Sequence, residues 1–132
     1  MFQLDEMSHS AMYIQVMDNI KELIMTDIWK ENMKIPSVRE LSGQLTLNPN
    51  TVQKAYRELE REGYIYTVSG KGSFVSSKNK VRKDPAKVEE LLARVRDTFK
   101  GLMNIGYSPD DAASLIQGEI KNALDTALSA RP

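Results

Sequence analysis

The sequence predicts a mainly α-helical chain with one small β-hairpin. Helix-start signals at Ser37 and Asn48 indicate two short helices joined by a tight turn. Aromatic and β-branched residues lie on both sides of a glycine-rich turn around Gly70, which is the pattern of a hairpin. Two longer amphipathic stretches follow Pro85. We therefore expect a helical unit that carries the hairpin, followed by a wholly helical segment.

The first helix is expected to begin at Ser10 and to extend to about Trp29. Apolar residues recur there at three- and four-residue spacing, which places them on one broad face. That face forms the expected base of the core and comprises Tyr13, Val16, Met17, Ile20, Leu23, Ile24 and Ile28. Residues 33–35 then predict a brief strand beside the hairpin.

A helix-turn-helix is predicted after the first helix. Ser37 and Glu40 have the spacing of a capping box, in which each side chain bonds the backbone amide of the other residue. The helix that they open is expected to end at about Leu45. Residues 46–47 alone separate it from the next cap, Asn48, and this connection suits two crossed helices rather than an antiparallel pair.

The second helix of this motif is expected to run from Pro49 to Glu62. Asn48 can accept hydrogen bonds from the first free amides, Pro49 suits the first helical position, and Gly63 supplies a left-handed stop. One face of the helix is apolar and consists of Val52, Ala55, Tyr56 and Leu59. The opposite face carries hydrogen-bond donors and acceptors and consists of Asn50, Gln53, Lys54 and Arg57. We expect the first face to anchor the helix and the second to bind a partner.

A β-hairpin is predicted directly after this helix. Residues 64–68 and 73–75 have strand character, and residues 69–72 form a flexible turn with Lys71 at its tip. A helix-turn-helix followed by such a hairpin makes a winged helix. Residues 1–77 are therefore predicted to be a winged helix-turn-helix DNA-binding domain.

The remainder of the chain is predicted to be a linker, residues 78–84, and a helical dimerisation segment, residues 85–132. Gly106 ends the first helix of this segment, while Ser108 and Pro109 open the second. Units below about 40 residues rarely hold a core without a metal, a disulfide or a partner. We therefore expect a twofold homodimer, with folding back onto the winged helix as the alternative. The expected interface comprises Val88, Leu91, Leu92, Val95, Phe99, Leu115, Ile116, Ile120 and Leu124.

The amino-acid composition excludes some classes of protein. The 18 basic residues balance 18 acidic ones, so the chain is not a nonspecific basic coat for nucleic acid. Basic residues nevertheless cluster between Lys71 and Lys83, with no acidic residue before Asp84, and a solvated linker is the alternative explanation for that run. The absence of cysteine, of a long apolar run and of a signal-peptide pattern predicts a soluble cytoplasmic protein without a membrane partner.

Several ordered blocks of the sequence resemble the GntR family of bacterial transcription regulators. They are Pro36-Ser37-Val38-Arg39-Glu40-Leu41, Asn50-Thr51-Val52 through Leu59-Glu60, Glu62-Gly63-Tyr64-Ile65, and Gly70-Lys71-Gly72-Ser73-Phe74-Val75. The resemblance begins near residues 12–13 and covers about half of the chain. The short segment after the wing further resembles the YtrA-type branch, whose members carry a small helical dimerisation segment in place of a large effector domain.

The resemblance implies which residues contact DNA. In this family the arginine of the Pro-Ser-x-Arg motif, the start of the recognition helix and the wing tip do so. The corresponding residues here are Arg39, Asn50, Thr51, Gln53, Ser69, Gly70 and Lys71. The chemistry of the exposed helix face adds Lys54 as a phosphate contact. Many members carry arginine where Pro49 and Gln53 stand, so we expect fewer counterions to be released here and a shallower salt dependence.

The predicted function is that of a homodimeric repressor of transcription that binds an inverted-repeat operator in double-stranded DNA. Resemblance to the YtrA-type branch implies control of its own operon and of neighbouring ABC-transporter genes. A winged-helix module that binds another protein is the alternative, and an enzyme is remote because no nucleophile, base and orienting group can be assembled. No cofactor or metal is expected. A small-molecule effector at the dimer interface remains a hypothesis.

Overall fold

The computed structural model describes residues 2–129 and separates the chain into two compact units, which meet between Arg82 and Lys83 in the sequence. Three helices and a two-stranded antiparallel hairpin form the first unit: α1 Met12–Met25, α2 Val38–Leu45, α3 Pro49–Arg61, β1 Ile65–Val68 and β2 Gly72–Val75. Among these residues, the helix-turn-helix and the hairpin follow one another as the sequence predicts. The predicted strand at residues 33–35 appears as a single bridge between Lys34 and Phe74.

Helix α1 is shorter than predicted, because it ends at Met25 rather than near Trp29. The Thr26 hydroxyl donates to the Glu22 carbonyl at 2.6 Å, and Asp27 takes a left-handed backbone conformation with a φ of +62°. The chain leaves the helix there, and the Trp29 amide folds back to donate to the carbonyl of Leu23 at 2.9 Å. Trp29 is therefore buried from a turn, which the helical spacing of the apolar residues did not reveal.

The core of the first unit lies where α1, α2, α3 and the hairpin meet. Its largest fully buried side chains are Val16, Ile20, Ile24, Leu41, Leu59, Val52 and Val75. The predicted apolar face of α3 is buried, and the helix packs against both α1 and α2. Burial of each large aliphatic side chain contributes about 1.5–3 kcal/mol, so this cluster fixes how α3 is oriented on the scaffold.

The start of α2 and the turn between α2 and α3 have the local chemistry that the sequence predicts. The Ser37 amide donates to Glu40 Oε1 at 3.1 Å, and the Glu40 amide donates to Ser37 Oγ at 3.0 Å. Hydrogen bonding of the Glu40 carboxylate to the Ser37 backbone, and less strongly to the Ser37 side chain, holds the pKa of Glu40 below its ordinary value. Thr46 adopts a φ of +55° to close the turn, and Asn48 Oδ1 accepts from the Asn50 amide at 2.8 Å.

Residues 78–82, which the sequence places in a linker, contact the first unit. A short 3₁₀ helix spans Lys78–Lys80. The Lys78 ammonium lies 2.6 Å from Asp27 Oδ1, and the Arg82 amide donates to the Glu62 carbonyl at 3.0 Å. This part of the chain is held by both polar side chains and backbone.

The second unit is a helical hairpin made of α4 Pro85–Asn104 and α5 Pro109–Ser129. Asp84 Oδ1 caps α4 by accepting from the Ala86 amide at 3.0 Å, and Ser108 Oγ accepts from the Asp111 amide at 3.2 Å at the start of α5. Gly106, with a φ of +113°, follows the end of α4, where the sequence predicts that this helix stops. Within residues 2–129, no helix combines the length and apolar character that crossing a bilayer requires.

Candidate nucleic-acid interface

Helix α3 presents a polar surface on the side away from the core. Asn50, Gln53, Lys54 and Arg57 are exposed, and Thr51 is half-buried in the first turn. Gln53 and Arg57 make no side-chain hydrogen bond or ion pair with the described residues, so their donors and acceptors are free to meet an external partner. The predicted division of this helix into an anchored face and an exposed face is confirmed.

Lys54 is the one member of this surface that is held by a neighbour. Its ammonium lies 4.1 Å from the centre of the Tyr13 ring in α1, a distance typical of a cation–π contact. The contact leaves the ammonium donors available while restricting the side chain to the start of α3. Sequence reasoning assigned Tyr13 to the core and missed this contact, because the pairing depends on how α1 crosses α3.

Arg39 projects from the first turn of α2 and is exposed. Its guanidinium has no hydrogen-bond or ion-pair partner among residues 2–129. The backbone that carries it is fixed, because the Tyr56 hydroxyl donates to the Pro36 carbonyl at 2.6 Å and so joins α3 to the start of α2. Burial, with a smaller effect of the Glu40 carboxylate, raises the pKa of Tyr56, and this hydroxyl stays a donor.

The wing tip consists of Ser69, Gly70 and Lys71, all exposed. The turn closes with a hydrogen bond from the Lys71 amide to the Val68 carbonyl at 2.9 Å. Gly70 has a φ of +76°, a conformation that side-chain-bearing residues rarely adopt, and nothing lies within 4 Å of where its Cβ would stand. The backbone of this tip can therefore approach a surface closely.

Three contacts that sequence reasoning missed fix the wing. The Tyr66 and Phe74 rings stack with their centres 5.5 Å apart, and the Tyr66 hydroxyl donates to Asn32 Oδ1 at 2.8 Å. Glu60 Oε1 in α3 accepts from the Thr67 amide at 3.1 Å. The facing aromatic pair could have been read from the strand register, whereas the Glu60 contact depends on the tertiary packing. The wing is thereby joined to the helix whose exposed face it borders.

A second surface, on the helical hairpin, is apolar. Helix α4 has no buried residue, and Ala112 is the single buried residue of α5. Seven of the nine predicted interface residues are between 45% and 59% exposed: Val88, Leu91, Leu92, Val95, Leu115, Ile120 and Leu124. The other two, Phe99 and Ile116, are half-buried within the unit. The interface prediction omitted Ile105, Tyr107 and Leu128, which are also exposed.

An open pocket of about 770 Å³ lies in the first unit, between the chain start, the turn after α1 and α2. Its apolar lining includes Phe2, Trp29 and Leu41, and Glu40 and Gln44 provide polar groups. A volume of this size is in the range of small-molecule sites. Residues 2–129 contain no cluster of three or more side chains suited to hold a metal ion.

Comparison with known proteins assigns this geometry to a family. Residues 12–75 match the family described as bacterial regulatory proteins, gntR family. The chain is 41% identical over 103 residues to the HTH-type transcriptional repressor YtrA of Bacillus subtilis, covering 78% of this chain and 76% of that protein. The chain belongs to the GntR family. The resemblance to the YtrA-type branch is likewise confirmed.

Two solved structures agree with this assignment. YtrA from Sulfolobus acidocaldarius, a GntR-family transcription factor, superimposes with a TM-score of 0.62 at 32% identity, covering 73% of this chain and 97% of that one. The DNA-binding domain of AraR in complex with operator ORX1 superimposes with a TM-score of 0.51 at 32% identity, covering 58% of this chain and 93% of that one. This GntR protein is a DNA-binding regulator of transcription.

Proposed function

We propose that this GntR protein is a homodimeric repressor that binds an inverted-repeat operator with α3 in the major groove. The observation that carries the proposal is the exposed polar face of α3, together with the exposed Arg39 in the first turn of α2 and the exposed wing tip at Lys71. The opposite face of the same helix is buried in the core. An amphipathic helix anchored in this way can enter a groove without disturbing its scaffold.

Each exposed group suits a different part of the duplex. The free guanidinium of Arg39 can donate two hydrogen bonds to guanine O6 and N7, and the amides of Asn50 and Gln53 match the edge of adenine. The Lys54 ammonium and the Thr51 hydroxyl at the start of α3 suit phosphate oxygens. At the wing, Ser69, Gly70 and Lys71 can follow the backbone into a minor groove because no bulky side chain intervenes.

The apolar surface of the helical hairpin supports a homodimer. Half-exposed Leu, Ile and Val side chains would each contribute roughly 1 kcal/mol if a second copy covered the rest of their surface. The seven exposed interface residues alone would then supply about 7 kcal/mol per protomer before the cost of association is subtracted. A twofold dimer places two identical winged helices on two half-sites about one helical turn apart, which accounts for an inverted repeat.

The regulatory context is part of this proposal. The resemblance to the YtrA-type branch implies control of its own operon and of neighbouring ABC-transporter genes, and we place the protein in the cytoplasm. The sequence suggested that an effector would bind at the dimer interface, and the open pocket beside Trp29 is a second candidate place for one. Thermal-shift screening of compounds, with release of operator as the readout, tests this hypothesis, and a consistent lack of response would remove it.

A binding assay on the promoter upstream of the gene tests the proposed function. Fluorescence anisotropy should show that the protein prefers this duplex to a scrambled duplex of equal length by at least about a thousandfold. Arg39→Ala should reduce the preference, whereas Arg94→Ala, an exposed arginine of α4, should leave it unchanged. Equal binding of the promoter and the scrambled duplex would contradict the proposal and favour the module that binds another protein.

A further inference from the structure

The connector between the two units, residues 76–82, is bound to the end of the recognition helix α3 and to the turn after α1. Three features hold it there. The Lys78 ammonium pairs with Asp27 at 2.6 Å, the Arg82 amide donates to the Glu62 carbonyl at 3.0 Å, and the Ser76 amide donates to the Tyr64 carbonyl at 2.9 Å. Glu62 is the C-cap of α3, so Arg82 satisfies a carbonyl that helix geometry leaves without a partner.

Gly63 leaves the space in which this connector packs against the end of α3. Its φ of +89° ends α3, and a Cβ added to it would lie 2.1 Å from the carbonyl oxygen of Lys80. That distance is far below van der Waals contact, and the obstructing atom belongs to the backbone, which cannot rotate away. Glycine here therefore serves two purposes, because it permits the left-handed turn and leaves room for the connector.

Docking shortens the free chain that leads to the dimerisation segment. If residues 78–84 were a flexible linker, the eight steps from Ser77 to Pro85 could span about 28 Å. With Arg82 bound to α3, only Lys83 and the α4 cap Asp84 lie between Arg82 and Pro85, and three steps span at most about 11 Å. The docked connector reduces the reach of the chain by more than half.

This reach matters on DNA that carries two half-sites. Each inserted base pair moves the second half-site by about 3.4 Å and turns it by about 35° around the helix axis. A long flexible linker would still let the dimer reach both half-sites after several base pairs are inserted. A tether too short for the new separation loses the affinity gained by binding both half-sites at once.

We propose that the docked connector, seated on Gly63 and bound through Lys78 and Arg82, sets the half-site spacing that the dimer accepts. The inference rests on the proposed function, since it requires a dimer on an inverted repeat. Under this proposal, residues that do not contact bases discriminate between operators that differ in half-site spacing. Wild-type binding should fall by about tenfold or more when two base pairs are inserted between the half-sites.

Arg82→Pro tests the proposal, with Arg82→Ala as its matched control. Proline removes the amide that donates to Glu62, and the preceding Val81 is already extended, with φ of −68° and ψ of 128°, as proline requires of the residue before it. Alanine removes the same charge and keeps the amide. Arg82→Pro should cut the penalty for two inserted base pairs by about fivefold, while Arg82→Ala keeps the wild-type penalty. The probes are duplexes selected from a random library with the wild-type protein and then varied in spacing.

A second pair of variants covers the case in which the proline variant fails to fold. Lys78→Ala removes the ion pair with Asp27. Lys80→Ala removes an exposed side chain but keeps the Lys80 carbonyl, which is the group that lies beside Gly63. Lys78→Ala should relax the spacing preference and speed hydrogen exchange at the amides of Lys80 and Val81, and Lys80→Ala should do neither.

The outcomes separate this inference from the proposed function. A wild-type spacing profile in both Arg82→Pro and Lys78→Ala would overturn the inference, as would equal relaxation in Arg82→Pro and Arg82→Ala. If the wild-type protein bound a single half-site as tightly as a pair, the proposed dimeric binding itself would fail. That second result is seen in the unmodified protein, so the two failures cannot be confused.

Discussion

Leu92→Asp should dissociate the dimer while leaving each protomer folded. In the isolated chain the Leu92 side chain is 50% exposed, so an aspartate there stays in contact with water. The substitution should therefore cost the helical hairpin no more than about 1 kcal/mol of buried apolar surface. In the proposed dimer the same position would be covered by a second apolar face, and an unpaired carboxylate there would cost at least about 3 kcal/mol.

Twofold symmetry doubles that cost, because each protomer brings one aspartate to the interface. A total of about 6 kcal/mol raises the dissociation constant of the dimer by more than about ten-thousandfold. Sedimentation velocity at micromolar concentration should then show a monomer, and circular dichroism should still show the wild-type helix content. Anisotropy with a two-half-site operator should show much weaker binding than wild type.

Thr98→Asp is the matched control for this experiment. Thr98 is exposed, its hydroxyl donates to the Arg94 carbonyl of the same helix at 2.9 Å, and the change in charge is identical. It should sediment as the wild-type dimer. A Leu92→Asp protein that remains dimeric at micromolar concentration would refute the assignment of this face to the interface, and so would loss of the dimer in both variants.

Three further predictions concern the first unit. Arg39→Ala should cost about 1–3 kcal/mol of discrimination at one base pair, measured as the change in the operator-to-scrambled affinity ratio; an unchanged ratio would remove the role given to Arg39. Tyr56→Phe deletes the 2.6 Å hydrogen bond to the Pro36 carbonyl and should lower the free energy of unfolding by about 0.5–1.5 kcal/mol in urea titration, and equal stability would show that this bond adds nothing. Because the folded-state pKa of Glu40 is lowered from 4.5, its capping box should stabilise the fold above that pH and lose its contribution as the pH falls through the lowered value. Glu40→Gln should flatten this part of the pH profile of unfolding, and a profile identical to wild type would disprove the linkage.

Local features of the fold were predictable because their signals lie within a few residues of one another. The capping box of Ser37 and Glu40, the Asn48 cap and the left-handed Gly63 and Gly106 each depend on chain geometry over a single turn. The same is true of the exposed face of α3, since helical spacing alone puts Gln53 opposite the buried residues.

Helix α1 shows where this reasoning fails. Apolar residues continue at helical spacing as far as Trp29, but the helix stops at Met25 because Asp27 takes a left-handed conformation. Burial of Trp29 is satisfied equally well from a turn, so the spacing of apolar residues could not place the helix end. The Lys54 contact with Tyr13 was missed for a related reason, because it joins two separate helices.

By itself the sequence determined the order of helices and hairpin, the caps at their ends, the family and the set of polar groups that α3 exposes. The tertiary structure decided which side chains and backbone amides are held in place, and by which partner residues. Lys78 and Asp27 stand 51 positions apart and meet only after α1 and α3 have packed together, and the Arg82 amide finds Glu62 in the same way. Contacts of this kind carry no local signal, because the free energy that forms them comes from the packing of distant segments rather than from neighbours in the chain.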